Sequence, residues 1–392
     1  MSLTAGDALG QARRLAAAFR QDAADRDLAA GTPKKERDLI RASGLLNLSV
    51  PTRLGGLGAS WPTLLRAVRE IATADASLAH LFGYHHLGLV TPHLIGTPAQ
   101  RDYWYAETAR RGLFWGNSLN PLDPRTTLVR VDDDTIRLNG EKSFCTGAAD
   151  SDVLLVSAAW TGVDDSRLQV AVLPTRFQGI TVRDDWDNMG QRQTDSGSVA
   201  FHNVVCHADD FLGPPGAGGS VWATLRPCVT QSILSNIFLG LAQGALLEAR
   251  QYTLGIERPF AGTASRPCED AYVLEAYGEM HVQTAAAEGL LDRAADALQV
   301  AWEREYELAA DERGACAAAI SIAKAASGRA ALEVTSQVFE VMGARATSAR
   351  YRFDRFWRNA RTLTLHDPLN YKIREVGDWF LNGRYPAPSF YS

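Results

Sequence analysis

The chain has 392 residues, 46% of them hydrophobic and 22% charged, with a formal net charge of −5 at pH 7. These proportions belong to a globular protein of two or three domains, and the mild charge, without any block of Lys or Arg, argues against a nucleic-acid partner. The N-terminus lacks the basic, apolar and small-residue order of a signal peptide, and no apolar run reaches the ~18 residues that a membrane helix requires. The five cysteines (Cys145, Cys206, Cys228, Cys268, Cys316) are scattered and form no CxxC pair. Neither a disulfide framework nor a metal site is expected, and the reading is a cytoplasmic protein with reduced thiols.

Residues 1–112 read as a helical domain. Leu9, Leu15 and Phe19 recur near helical spacing. Pro51 and Gly55–Gly56 interrupt with a loop, and "WPTLLRAVREIATADASLAHLFGYHH" resumes the helical pattern. "GTPAQRDYW" carries a helix start: Thr97 as N-cap, Pro98 in the first turn and Gln100 to complete a capping box. Residues 113–215 read as an antiparallel β domain. "TLVRV" and "TIRLNG" flank a turn at Asp132–Asp134, and "DVLLVSAAW", "RLQVAVLP", "GITVR" and "GSVAFHNVVC" follow, each bounded by turn residues. After the Gly/Pro-rich stretch 213–220, residues 216–392 read as a helical bundle. Its helix from Val229 is apolar on nearly all faces, as a helix buried between neighbours must be.

This order of helices, β domain and bundle, an α+β architecture, resembles the acyl-CoA dehydrogenase fold. Six motifs carry the resemblance over about residues 35–385: "SVPTRLGGLG", "ATADASLAHLFGYHH", "LNGEKSFCTGA", "ERPF", "QVFEVMGA" and "RFWRNARTLTLHDP". The pattern departs from a true dehydrogenase. The "TEPxxGSD" segment is replaced by "WGNSLNPLDPRTT", the "GG" pair of "QxxGGxG" is Glu340–Val341, and the flavin-stacking Trp of "WIT" is Phe144. The glutamate base falls on Asp367, between His366 and Pro368, where a shorter side chain on a stiffer backbone suits proton abstraction poorly. "KSFCTGA", "MGQRQTDSGSV" and "LTLHDP" resemble instead the flavin-dependent monooxygenase branch of this superfamily, typified by dibenzothiophene monooxygenase.

That resemblance implies a two-component enzyme. Reduced FMN arrives from a separate flavin reductase, O2 adds to give a flavin C4a-hydroperoxide, and an oxygen passes to a sulfur- or nitrogen-containing small molecule. FMN is expected over FAD, because Glu340 and Val341 fill the place where glycines admit the adenosine half. His366 is the first catalytic candidate, since imidazole donates hydrogen bonds and protons near neutral pH. Its alternative is a helix cap. His85 or His86 is the second candidate, His85 favoured, with a buried, hydrogen-bonded histidine as its alternative; one sequence leaves open which faces the flavin, because adjacent helical residues point about 100° apart. The resemblance also implies flavin or peroxide contacts from Asn117, Ser143 and Thr146, and phosphate binding by Arg258 and Arg345. The resemblance is also read as placing Asp367 to orient the His366 ring and Trp186 and Phe144 to wall the substrate pocket, the alternative for Trp186 being a core position. It further implies a homotetramer in which Arg345 reaches a neighbour's flavin. The C-terminal "RYPAPSFYS" is expected to pack on a neighbouring surface. Two other readings stay open: an FAD-dependent acyl-CoA dehydrogenase, and a non-catalytic scaffold.

Overall fold

A computed structural model describes residues 4–161, 168–214, 217–257 and 264–392. The helical N-terminal part comprises α1 (Ala8–Arg20), α2 (Ala23–Ala29), α3 (Lys34–Ala42), α4 (Trp61–Ala72), α5 (Ala76–Ile95) and α6 (Pro98–Arg111). Side chains satisfy the backbone donors where these helices begin. Ser60 Oγ accepts from Thr63 N, Asp75 Oδ1 accepts from Leu78 N at 3.1 Å, and Thr97 and Gln100 form the capping box read from the sequence. Helix α5 is buried along its whole length. It therefore has no solvent face, and each polar side chain on it must find a partner or face a cavity.

The strands are β1 (Trp115–Ser118), β2 (Thr127–Arg130), β3 (Ile136–Lys142), β4 (Val153–Trp160), β5 (Leu168–Pro174), β6 (Ile180–Val182) and β7 (Val199–Cys206). They form one sheet in the order β1-β4-β2-β3-β7-β6, with β5 also paired to β4. The hairpin β2–β3 is antiparallel as expected, but β1 and β2 run parallel to β4. The sheet is thus mixed rather than antiparallel throughout: tight turns force antiparallel neighbours, whereas the long segments joining these strands let the chain return in the same direction.

The C-terminal helices are α7 (Leu225–Leu254), α8 (Ala271–Arg304), α9 (Ala310–Met342), α10 (Asp354–Thr364) and α11 (Leu369–Asn382). Contrary to the sequence reading, α7 is long and apolar enough to cross a membrane, yet 78% of its apolar window is buried inside the fold. It passes very close to its neighbours. A Cβ on Gly83 would lie 2.4 Å from Ile233 Cγ2, and one on Gly240 would lie 2.4 Å from Ala72 Cβ. One hydrophobic core runs through the N- and C-terminal helices together, and a second fills the sheet.

Arg37 of α3 ties the helices to the sheet loops. Its guanidinium is fully buried, donates to Gly147 O (3.1 Å) and Asp195 Oδ2 (3.2 Å), lies 3.1 Å from Asp150 Oδ2 and sits 4.2 Å over the Phe114 ring. Burial lowers its pKa to about 10, against the pull of Asp150 and Asp195. The last two residues of the tail are tied to the chain's own bundle. Lys372 Nζ donates to Tyr391 O and Ser392 Oγ, and Gln231 Nε2 donates to Tyr391 O at 3.1 Å.

Candidate active site

On α5, His80 and Tyr84 are four residues apart and so share a face. Their rings meet edge to face at 4.2 Å. His80 Nδ1 bonds Gln191 Oε1 at 3.2 Å, so its proton sits on Nδ1, and the buried Nε2 has no partner among the described residues. Gln191 is held in turn: its backbone N donates to Asn359 Oδ1 of α10 at 2.5 Å, and its φ is +56°. Burial first, then the nearby His366, lower the His80 pKa to about 3. His80 is therefore a neutral imidazole with a free lone pair.

His366 stands in the turn between α10 and α11, where its backbone N donates to Leu363 O at 3.1 Å and closes the final turn of α10. The imidazole itself makes no hydrogen bond among the described residues and lies edge-on to the Tyr391 ring at 5.9 Å. The ring opens to solvent at the surface, yet protein walls it closely enough that burial, followed by the Lys324 cation, lowers its pKa to about 4. His366 thus offers an N–H from a neutral imidazole. The helix-cap alternative does not describe it, because the ring bonds none of the terminal carbonyls.

Arg226, in the first turn of α7, closes the other side. Its Nε donates to Thr91 Oγ1 at 3.0 Å and its Nη2 reaches Asn117 Oδ1 at 3.5 Å. No carboxylate pairs with it among the described residues, and the surrounding protein lowers its pKa to about 10 by desolvation, opposed only by Tyr84. Burial raises the Tyr84 phenol well above its ordinary range, with Arg226 and Tyr391 beside it. Asn117 on β1 donates its backbone N–H to Thr146 O at 2.9 Å. Thr146 Oγ1 meets Ser196 Oγ at 3.0 Å, and Ser196 meets Thr194 Oγ1 at 2.8 Å. Thr194 in turn donates to Gln191 O at 2.9 Å, so a polar chain runs from Asn117 to the residue that holds His80.

The sheet side of this cleft carries the remaining expected residues. Phe144 adopts φ +60° and is 61% exposed, unusual for a large aromatic residue. It faces Trp186 at 6.1 Å, and Trp186 Nε1 donates to Gln191 O at 2.8 Å. Ser143 Oγ accepts from Arg125 Nη2 at 2.7 Å. An exposed aromatic flanked by hydroxyls, together with the orphaned buried Gln191 Nε2, fits a planar polar-edged ring such as isoalloxazine. Arg258 lies outside the described residues. Arg345 is exposed past the end of α9, near Tyr252, and not at the histidine cleft.

Three sequence expectations are not met by placement. His85 and His86 lie within α5, which continues to Ile95, and both are fully buried. His85 Nε2 bonds Leu46 O at 2.9 Å and its Nδ1 accepts from Trp115 N at 3.3 Å, while His86 Nδ1 bonds Ser49 Oγ at 2.8 Å. Rotation along the helix turns them into the core, toward the 45–49 segment, while Tyr84 faces Arg226. Asp367 does not orient the His366 ring: it is 5% exposed and pairs with Lys324 Nζ at 2.7 Å. The residues that line the cleft but were not singled out, His80, Tyr84, Gln191 and Arg226, carried usable signals. His80 and Tyr84 share helical i, i+4 spacing, Gln191 lies within "MGQRQTDSGSV", and Arg226 is the only charged residue of its helix before Glu248.

Residues 8–111, 116–204 and 232–371 match, respectively, the N-terminal, middle and C-terminal domains of acyl-CoA dehydrogenase. The chain belongs to the acyl-CoA dehydrogenase family. Its relatives include the "Probable FMNH2-dependent monooxygenase SfnC" of Pseudomonas putida, 49% identical over 98% of this chain and 97% of that one. Among solved structures, methanesulfinate monooxygenase MsuC from Pseudomonas fluorescens is 48% identical, with a TM-score of 0.95 over 98% of this chain and 99% of that one. FMN-bound TdsC, a dibenzothiophene monooxygenase from Paenibacillus sp. A11-2, is 46% identical, with a TM-score of 0.93 over 98% of this chain and 100% of that one.

Proposed function

We propose that this chain is an FMNH2-dependent monooxygenase of organosulfur compounds. The observation that carries the reading is the meeting of His366, whose ring is unbonded, with His80, whose Nε2 is bare, beside a sheet edge fitted to a flavin ring. Groups left unsatisfied inside a fold cost stability and are characteristic of sites rather than scaffolds. Reduced FMN, when bound, supplies the two electrons for a reaction in which one atom of O2 joins sulfur and the other leaves as water. The neutral His366 donates an N–H at the mouth of the cleft, and His80 Nε2 accepts a proton or hydrogen bond opposite it. Tyr84 and Tyr391 wall the space and limit water, while Asn117, Ser143, Thr146, Phe144 and Trp186 seat the flavin ring. Arg258 and Arg345 remain the proposed phosphate ligands, Arg345 serving a neighbouring subunit.

The dehydrogenase alternative requires a free base at position 367. There the carboxylate is buried against Lys324, which removes the group that would abstract an α-proton. We further propose a separate flavin reductase as the source of reduced FMN, and a homotetramer. Tyr272, Val282, Phe380 and Leu381 are 69–84% exposed on α8 and α11, apolar surface that a second copy of the chain would cover. All five cysteines are free, which supports a reducing, cytoplasmic location. The test is oxygenation under 18O2 with reduced FMN. Methanesulfinate or dibenzothiophene should gain one labelled atom per oxygen transfer, and absence of label from both overturns the reading.

A further inference from the structure

The guanidinium of Arg226 has no function in the fold that its contacts explain. A cation enclosed by protein is normally paired with a carboxylate, because transfer out of water penalises an isolated charge. Arg26, Arg37, Arg69 and Arg355 obey that rule, each facing one or more carboxylates, and buried Arg313, which has none, is satisfied by the backbone carbonyls of Thr224 and Pro386. Arg226 faces only neutral groups: the Thr91 hydroxyl, the Asn117 amide and, electrostatically, the Tyr84 phenol. The residue is partly exposed, its Nε and Nη2 are occupied, and Nη1 is not among the buried polar atoms left without a partner, so that nitrogen reaches open space.

We propose that Arg226 is the specificity-determining residue of this site and receives the oxyanion of a small sulfinate substrate. This rests on the oxygenase reading above and narrows its substrate class. A sulfinate carries two oxygens sharing one negative charge, the two-acceptor geometry that guanidinium binds best. It keeps a lone pair on sulfur, the atom that must accept oxygen. With its oxygens toward Arg226 and Asn117, the anion lies beside the Tyr84–His80 face of α5, and His366 flanks that face. The overall change is R–SO2⁻ + O2 + FMNH2 giving R–SO3⁻ + FMN + H2O: sulfur is oxidised by two electrons, the flavin by two, and O2 is reduced by four. Charge is conserved, so the product stays an anion at the same guanidinium. A neutral thiophene or sulfone would leave that guanidinium enclosed and unpaired.

The experiment is calorimetric binding to the protein saturated with oxidised FMN, which involves no turnover. The probes are methanesulfinate and the neutral dimethyl sulfone, and the proteins are wild type, Arg226→Met and Arg226→Lys. Wild type should prefer methanesulfinate. Arg226→Met should bind it about tenfold to a hundredfold more weakly, as expected on removal of a charge-assisted bond, with dimethyl sulfone unchanged or tighter. Arg226→Lys should fall between. FMN affinity, read by fluorescence quenching, should stay within about twofold of wild type in both variants, showing that they fold and that the anion recognised is not the flavin phosphate. Equal binding of methanesulfinate by wild type and Arg226→Met, no binding by wild type, or parallel loss of FMN affinity each overturns the assignment. If 18O is still transferred to dibenzothiophene in those cases, the oxygenase reading stands and only the role of Arg226 falls.

Discussion

The histidines differ in what their two ring nitrogens touch, and His86, like His80, leaves its Nε2 without a partner among the described residues. His85 uses both nitrogens on backbone groups and belongs to the core, while His366 uses neither and His80 only one. Replacement of His366 by Ala should lower oxygen transfer by roughly a hundredfold or more, the scale of general acid–base groups. Its melting temperature should change by no more than about two degrees, because an exposed ring without bonds contributes little to stability. Steady-state turnover set against thermal unfolding checks both. Replacement of His85 by Ala should show the reverse: unfolding at lower temperature by about 2–4 kcal/mol of stability, from the cavity and two stranded backbone groups. The "HDP" turn was legible because a short motif fixes its position along the chain. The choice among His80, His85 and His86 was not, since it depends on which side of an entirely buried helix meets the flavin cleft. Periodicity is silent when every position is apolar or enclosed.

Between elements, the contacts of α7 decide how tightly the site is framed. Gly83 and Gly240 let α5 and α4 approach it at distances that a methyl group would obstruct. Gly240→Ala should therefore destabilise by about 1–3 kcal/mol through overpacking despite its better helix propensity. Denaturant midpoints measure this, and a stabilised variant would contradict the packing. Below the cleft, Lys324 of α9 holds Asp367 at the α10–α11 turn, in contact with Gln231 of α7. Lys324→Met should cost about 3–5 kcal/mol, because it leaves a buried carboxylate short of its partner. The double variant Lys324→Met/Asp367→Leu should recover part of that loss, and a double-mutant cycle by urea unfolding reads the coupling. The capping box of α6 and the β2–β3 hairpin could be read residue by residue, because their signals are local. The parallel pairing of β1 and β2 with β4 could not, because it is set by the path of long connections.

Across the whole molecule, four well-buried histidines share one electrostatic property. His80, His85, His86 and His93 all have pKa values lowered chiefly by burial: to about 3 for His80, to about 4 for His85 and His93, and well below the ordinary value for His86. Above pH 6.5 these groups are neutral in both folded and unfolded chains and leave stability flat. As pH falls below 6.5, the unfolded chain binds protons that the native fold refuses, so stability drops until the folded pKa values are reached. Each histidine withdraws at most about 1.4 kcal/mol per pH unit in that window. Chemical denaturation at pH 7.5, 6 and 5 should show progressive loss, and a profile that is level down to pH 5 would count against it. The order of helices, sheet and bundle was legible in the sequence as a whole. The single core shared by the two helical ends was not, because it joins residues hundreds of positions apart.

Arg37 makes one further statement about how this chain can vary. Its guanidinium answers at once to the backbone of Gly147, to two aspartates from different loops and to the Phe114 ring. A substitution at position 37 thus removes the cation beside Asp195, which keeps only the Thr32 hydroxyl, whereas Asp150 retains Arg41 at 2.7 Å. In a mutational library, position 37 should be intolerant alone and recover in part when position 195 is neutralised with it, neutralisation of 150 adding little because Arg41 still pairs there. Because Thr146, a proposed flavin contact, lies on one of the loops so held, such variants should be scored as cofactor-binding defects although position 37 itself lies on α3.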